Sequence, residues 1–389
     1  MMIFGFSGNF EIENEHEKIE RIKNMKITFN KSELVQAVSN VQRAVSAKNS
    51  IPALEGILIK AYDNKAILCG YDLEIGIRTE LEATIVEEGE IVLSAKLFSE
   101  IVRRMPDEII TIETDEKLIT YINSGVADYQ IVGISSYEYP ELPSFEELES
   151  FELNGNLLKN MIKQTYYAIS DNQSKPIYTG SLFDLKDGHL QIVSVDGFRM
   201  AVRKEKIEGD FNFNFIVPGK TLSEVLKINC DEEGMIRVIV GKKHVIFEIE
   251  NYSVVSRLIE GKFLEYAGTI PNGAQTSLRV KTREIASSVE RMSLLTSEKL
   301  QSPVRFIVAD EGIKLACTTV VGKASDYINL PFEGSEVEIG FNNRYLLDAI
   351  KNADTDELLF EFNGPLKPLK VLPVEGDSFI FLVVPMRLS

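Results

Sequence analysis

Lys96-Leu97-Phe98-Ser99-Glu100-Ile101-Val102 decides the fold, because its pattern returns twice. It recurs as Lys220-Thr221-Leu222-Ser223-Glu224-Val225-Leu226 and as Arg344-Tyr345-Leu346-Leu347-Asp348-Ala349-Ile350, each copy 124 residues beyond the last. Every copy is a short helical pattern opened by a cation. A motif kept at one interval through a chain of 389 residues implies one domain written three times.

Outward from that helix the register holds. Phe29 aligns with Leu153, Leu34 with Leu158, Pro52 with Pro176, Gly56 with Gly180, Asp63 with Asp187 and Asp72 with Asp196, always at 124 residues. The first repeat opens with the alternation Ile27-Thr28-Phe29 and then a helix signal at Asn30-Lys31-Ser32-Glu33, where Asn30 or Ser32 is a candidate cap. The apolar positions Leu34, Val35, Val38, Val41 and Val45 follow at helical spacing. Short alternating strands around Gly56–Ile59 and Ala66–Cys69 are joined at Asp63-Asn64, a hairpin signal. Pro106 ends the Lys96 helix. The third repeat is displaced at its first helix, where Ile285 and Pro303 lie 127 residues beyond Leu158 and Pro176; an insertion of three residues, compensated further on, is required. Its hairpin is expected at Glu311-Gly312, 124 beyond Asp187.

Punctuation sets the boundaries. Tyr139-Pro140-Glu141-Leu142-Pro143 with the acidic run to Glu149 closes the first domain, and Pro271-Asn272-Gly273 closes the second. The domains are therefore 25–147, 148–272 and 273–389, each with two amphipathic helices and some eight strands, an α+β architecture. Residues 1–24, rich in Glu and Asn, read as an appended, mobile leader.

With 44% hydrophobic and 26% charged residues the composition is that of a soluble globular protein. No apolar run reaches the ~18 residues of a membrane span, and no signal-peptide pattern opens the chain, so a cytoplasmic location is expected. Cys69, Cys230 and Cys317 are isolated thiols without metal or redox spacing; Cys69 and Cys317 lie 248 residues apart and read as buried hydrophobes of equivalent strands. Of the three histidines, His16 lies in the leader and His189 and His244 in hairpin strands, so no nucleophilic triad emerges. Asp187-Gly188 and Asp196-Gly197 read as turns, and no glycine-rich phosphate loop is present. A paired-carboxylate enzyme would need a triplicated domain to build one site asymmetrically. No catalytic residue, metal or cofactor is expected.

The helical stretches 31–48, 96–104, 156–164, 220–227, 281–291 and 344–351 are each net positive and sum to +9, in a chain whose total is −17. That separation suits a polyanion held against the helices and repelled elsewhere; the plainer alternative is that solvated helix faces simply carry Lys and Arg. Sheet edges must be paired, and two chains joined head to tail by a twofold axis satisfy both free ends and close a ring of six domains. The rival function is an acidic repeat scaffold that binds proteins without DNA.

Together with the threefold repetition, Ser194-Val195-Asp196-Gly197-Phe198-Arg199-Met200-Ala201-Val202 and the tail Val384-Pro385-Met386-Arg387-Leu388 make residues 25–389 resemble the bacterial beta sliding clamp family. The resemblance implies a dimeric ring around duplex DNA, loaded by an ATP-driven clamp loader, that tethers the replicative polymerase and other clamp-binding proteins and catalyses nothing. By position it implies DNA contacts at Lys48, Lys96, Asn172, Lys175 and Lys220, with Arg344 as the third copy of the opening cation. It implies a partner-peptide pocket of Tyr178, Gly197, Phe198, Arg199, Met200, Leu264, Thr269, Leu382, Val384, Pro385, Met386 and Arg387, in which Arg199 and Arg387 orient the peptide. The subunit interface is expected at Ile101 and Tyr129 on one side and Leu294 and Leu295 on the other. Phe198 stands where the family more often has histidine, Leu264 where it often has proline, and Ser389 extends the usual final leucine.

Overall fold

Every repeat begins with a strand that feeds a helix, and in the first two repeats an Asn side chain, Asn30 or Asn154, caps its start. In this computed structural model, which describes residues 24–144, 147–296 and 302–388, the strand Met25–Asn30 runs into helix α1, Lys31–Val41. Asn30 Oδ1 accepts the Ser32 N–H at 2.9 Å, satisfying an end-of-helix donor. Leu34, Ala37, Val38 and Val41 form the buried face of α1. The helix is shorter than the 31–48 stretch, because the chain tightens into a 3-10 turn at Gln42–Ala44. Expectations about residues 1–23 lie outside the described residues.

The remaining helices are α2 (Ala95–Arg104), α3 (Gly155–Tyr166), α4 (Gly219–Lys227), α5 (Thr282–Ser293) and α6 (Asn343–Asn352). The first residues of α2, α4 and α6 are 124 residues apart, as are those of α1 and α3, whereas α5 starts 127 beyond α3. The compensation sits just after Pro303. The second repeat spends Pro176–Tyr178 on a 3-10 turn before the strand Gly180–Lys186, while in the third repeat Pro303 leads directly into the strand Val304–Ala309.

The hairpin turns use left-handed residues, Asp63 and Asn64 (φ 51° and 61°) and Asp187 and Gly188 (φ 52° and 69°). The third turn corrects the sequence ruler. Ala309 pairs with Gly312, so the turn is Asp310-Glu311, one residue earlier than expected. Its incoming strand has 6 residues against 7 in Gly180–Lys186, and that single deletion moves the turn.

The chain forms two compact units, one running to Ser144 and including Asn251–Val255, the other made of Phe145–Glu250 and Ser256–Ser389. In the first unit an antiparallel sheet runs Thr84–Glu87, Met25–Asn30, Ile109–Thr114, Ile119–Ser124, Ala127–Val132. Ala127–Val132 is its edge. In the second unit one sheet passes from the second repeat into the third, where Arg199–Lys206 pairs with Phe379–Val383 and Met200 faces Leu382. Sheet edges must be paired, and at this repeat junction continuity of the sheet pairs them. A further four-stranded sheet of the third repeat has Gly322–Asn329 at its edge. Phe306, Phe341, Phe360 and Phe381, all 0% exposed, anchor the core of the third repeat.

Two glycines record the repeat in close packing. A Cβ on Gly180 would stand 2.2 Å from the Val217 carbonyl oxygen, and one on Gly56 would stand 2.9 Å from that of Leu93. Leu93 and Val217 are themselves 124 residues apart. Cys69 and Cys317 are buried in the equivalent strands Lys65–Tyr71 and Gly312–Thr319, as expected, and burial pushes the Cys69 thiol up to about 12.

Candidate functional site

Lys96, Lys220 and Arg344 occupy the second residue of α2, α4 and α6, and all three are exposed. A helix N-terminus carries partial positive charge, so a cation there costs about 0.3–1 kcal/mol where Asp or Glu would stabilise. None of the three helices has an acid in its first turn. The same local rule is thus broken at the same place in all three repeats. Ser94 and Pro218 supply no side-chain cap to α2 and α4, which leaves outward N–H donors beside the cations, an arrangement suited to anions. Lys48 is exposed in the loop after α1, and Asn172 and Lys175 in the loop after α3. Asn172 Oδ1 is committed to its own loop, accepting from the Ser174 N–H at 3.0 Å and hydroxyl at 2.7 Å. Among the described residues Lys48, Lys96 and Lys175 make no ion pair.

The expectation that all six helices are net positive holds for four. In α1 Lys31 is balanced by Glu33, and in α5 Arg283 and Arg291 are balanced by Glu284 and Glu290, so both are neutral. The positive sums over 31–48 and 281–291 came from Arg43, Lys48 and Lys281, which lie outside the helices. Two helix lysines are also used internally: Lys31 donates to the Met105 carbonyl at 2.5 Å and Lys159 to the Ile228 carbonyl. Those are the C-cap residues of α2 and α4, so each lysine ties the first helix of its repeat to the end of the second.

In the second unit an apolar cluster contains Leu182, Val193, Met200, Ile216, Phe263 and Leu382, with Tyr178, Leu264 and Tyr266 packed on it. Four of the expected pocket residues, Tyr178, Met200, Leu264 and Leu382, are therefore in one place. Thr269 joins them, its hydroxyl 3.8 Å from Met200 Sδ. Beside the cluster Asp196 Oδ1 accepts the N–H groups of Phe198 and Arg199 at 2.8 and 3.0 Å, and Gly197, at φ 95°, closes the turn. The turn holds Phe198 out, 57% exposed, stacked on Tyr345 at 5.8 Å. Val384 donates its N–H to the Phe198 carbonyl at 2.9 Å, while Met386 pairs with Gly340. Pro385 and Met386 are half-buried and Arg387 is exposed.

Arg199 is not a free peptide-orienting group. Its side chain is 8% exposed, Nε donates to Asp196 Oδ2 at 2.7 Å and Nη1 to Asp348 Oδ2. The guanidinium also lies over the rings of Tyr345 at 4.6 Å and Tyr167 at 5.4 Å. Burial works against its charge, and the two carboxylates more than restore it. Asp348, Tyr345 and Tyr167 escaped the sequence reading. The acid of the repeated motif was visible in every copy, but Glu100 bonds Arg103 and Arg104 and Glu224 bonds Lys227, whereas Asp348 reaches into the preceding repeat.

The expected interface residues separate. Ile101, 4% exposed, belongs to the interior of its own chain, and the apolar group that α2 exposes is Leu97, at 47%. Tyr129 lies on the edge strand of the first unit with Val132 also exposed. Leu294 is exposed, whereas Leu295 is half-buried against the core of the third repeat. Val320 and Val321, exposed at the turn leading into the edge strand Gly322–Asn329, had no periodic signal to mark them.

His189 and His244 open the strands His189–Val195 and His244–Ile249. Among the described residues no group of three or more His, Cys, Asp or Glu is arranged to hold a metal ion, and no helix is long and apolar enough to cross a membrane.

Three family models of the DNA polymerase III beta subunit match in order, the N-terminal domain over 25–143, the central domain over 152–265 and the C-terminal domain over 268–387. The beta sliding clamps of Bacillus subtilis (strain 168) and Halalkalibacterium halodurans are 32% and 33% identical over 376 and 378 residues, spanning 93% of this chain and 100% of each relative. The crystal structure of the Bacillus subtilis DNA polymerase sliding clamp is similar with a TM-score of 0.91 at 32% identity, covering 94% of this chain and 100% of that one. The beta subunit from DNA polymerase of Streptococcus pyogenes gives 0.89 at 25% identity, covering 93% and 100%. Three tandem α+β repeats, the turn at Asp196–Arg199 beside its apolar cluster, and these full-length likenesses place the chain in the family of bacterial beta sliding clamps, the beta subunits of DNA polymerase III.

Proposed function

We propose that two chains close head to tail into a ring of six domains, with domains at 25–147, 148–272 and 273–389 in each, that encircles duplex DNA and tethers a replicative polymerase. The observation that supports it best is the cation on the second residue of α2, α4 and α6, where helix electrostatics argue against one. A cation added to a positive helix end raises the potential felt by a phosphate, and phosphate contacts carry no sequence information. They let a ring move along the duplex, while topological closure holds it there. The acidic remainder of the chain, net −17 overall, repels DNA outside the ring.

The edge strands Ala127–Val132 and Gly322–Asn329 offer the ends for closure, one from each protomer, with Tyr129, Val132, Leu294 and Val320 as exposed apolar partners. The cluster around Met200 and Leu382, rimmed by Phe198 and Val384, receives an apolar anchor of a partner peptide. No reaction is needed for this role, which we place in the cytoplasm. The test is retention on a nicked circle: clamp loaded there by its loader should be lost when the circle is linearised. Equal retention on linear and circular DNA would refute encirclement.

A further inference from the structure

One face of the middle repeat carries two rows of side chains across its strands. Ile216, Leu182 and Val193 stand opposite one another in register, and two residues along the same strands stand Asn214, Asp184 and Gln191. The two-residue period of a strand puts both rows on one face, the first apolar and the second polar. Residues 258–270, which lead toward the third repeat, strap over the apolar row. Ile259 donates its N–H to the Ile216 carbonyl at 3.0 Å, and Phe263 meets Tyr178 edge to face at 5.5 Å. Tyr266 then reaches the polar row and donates its hydroxyl to Asp184 Oδ2 at 2.7 Å.

Between strap and polar row lies a cleft of about 620 Å³, floored by Asp184, Gln191 and Asn214. Its size falls within the range of ligand sites, about 300–1,000 Å³. Leu182, Phe263, Leu264 and Tyr266 line the cleft and also belong to the apolar cluster, so cleft and groove are continuous. Tyr266 uses one oxygen of the Asp184 carboxylate, and among the described residues the other makes no hydrogen bond, with Gln191 and Asn214 in register on either side. On the rim Lys262 and Glu265 pair with each other at 3.0 Å, and Lys186 and Asp187, one charge of each sign, also line the cleft, so Asp184 supplies its unbalanced negative charge.

We infer that this cleft is a second subsite of the peptide groove and takes a basic side chain, Arg or Lys, flanking the apolar anchor of a bound segment. The inference rests on the peptide-groove reading above. A guanidinium or ammonium brings only donors, which match a carboxylate flanked by two carboxamides whose oxygens can accept, and partial burial strengthens such charge-assisted bonds. A glutamate at the same place faces Asp184 and is rejected.

The test uses fluorescent synthetic nonapeptides that share a Leu-Phe anchor pair and carry Arg, Ala or Glu at each flanking position in turn, titrated against the full-length protein. Arg at one flanking position should bind about fivefold tighter than Ala, and Glu there more weakly than Ala. Asp184→Asn, which keeps an acceptor for Tyr266, should erase the Arg advantage while leaving the Ala peptide unchanged. Gln191→Lys should shift the preference from Arg to Glu, a gain that loss of folding cannot mimic. If Ala peptides bind but Arg gives no advantage at any position, or if Asp184→Asn leaves the Arg-to-Ala ratio intact, the subsite is refuted and the groove stands. If no peptide of the set binds, the groove reading fails and the subsite with it.

Discussion

Substituting Asp348 by Ala tests whether the second and third repeats are fastened by a buried ion pair or merely packed together. Breaking a fully buried pair from one side costs about 3–5 kcal/mol, whereas an exposed pair is worth about 0.2–1 kcal/mol. Arg199, at 8% side-chain exposure, belongs to the first class, but Asp348 is 33% exposed and Arg199 keeps Asp196. An intermediate loss of about 2 kcal/mol follows, the range of a hydrogen bond to a charged group. For a unit of this size that lowers the melting temperature by about 6 °C. Arg199→Met removes both charge-assisted bonds and the stacking on Tyr345 and Tyr167, and should cost about 3–4 kcal/mol. The chain has no tryptophan, so urea unfolding is best followed by far-ultraviolet circular dichroism. In a double-mutant cycle the two substitutions should couple by at least about 1.5 kcal/mol. A coupling below about 0.5 kcal/mol would refute the reasoning, because the pair would then behave as a solvated surface contact.

Gly180→Ala forces a Cβ to within 2.2 Å of the Val217 carbonyl oxygen and should destabilise by about 1–3 kcal/mol, as overpacking does. Gly268→Ala, where nothing lies within 4 Å, should stay within about 0.5 kcal/mol of the parent in the same denaturation assay; equal effects at both sites would count against the close-packing account. Burial works to raise the Asp326 pKa, but hydrogen bonds from Ser288 and Arg291 outweigh it and hold the carboxyl below its usual value of 3.8. A depressed carboxylate stabilises the fold above that ordinary value, and the contribution disappears as pH falls through the folded one. The stability gap between the parent and Asp326→Asn should therefore be open at neutral pH and close below about pH 4; a gap independent of pH would contradict it.

The triplication was legible because strand–helix units of one length leave the same cap, turn and core residues at one interval. The interval even exposed the insertion before α5, seen as Ile285 and Pro303 running three residues late. It misplaced the third hairpin, since a single deletion inside a strand leaves no punctuation, and only the pairing of Ala309 with Gly312 reveals the turn. Tyr178, Met200, Leu264 and Leu382 could be grouped in advance through family resemblance, not through any periodicity they share. Which residue α2 buries in its own chain was not legible: an apolar residue on a short amphipathic helix faces inward or outward according to the helix's rotation on its sheet, which put Ile101 inside and left Leu97 outside.

What the sequence determined by itself was the repeat, the α+β class of each copy, the strands carrying Cys69 and Cys317, and the cations that open α2, α4 and α6. All are local or periodic, set by capping, turn chemistry and alternation within a few residues. Tertiary structure alone decided which charges are spent. Arg199 met Asp348 across 149 positions of sequence, Tyr266 met Asp184 across 82, and the lysines of α1 and α3 were drawn to the ends of α2 and α4. Such pairings depend on where the elements come to rest against one another, which no spacing along the chain encodes.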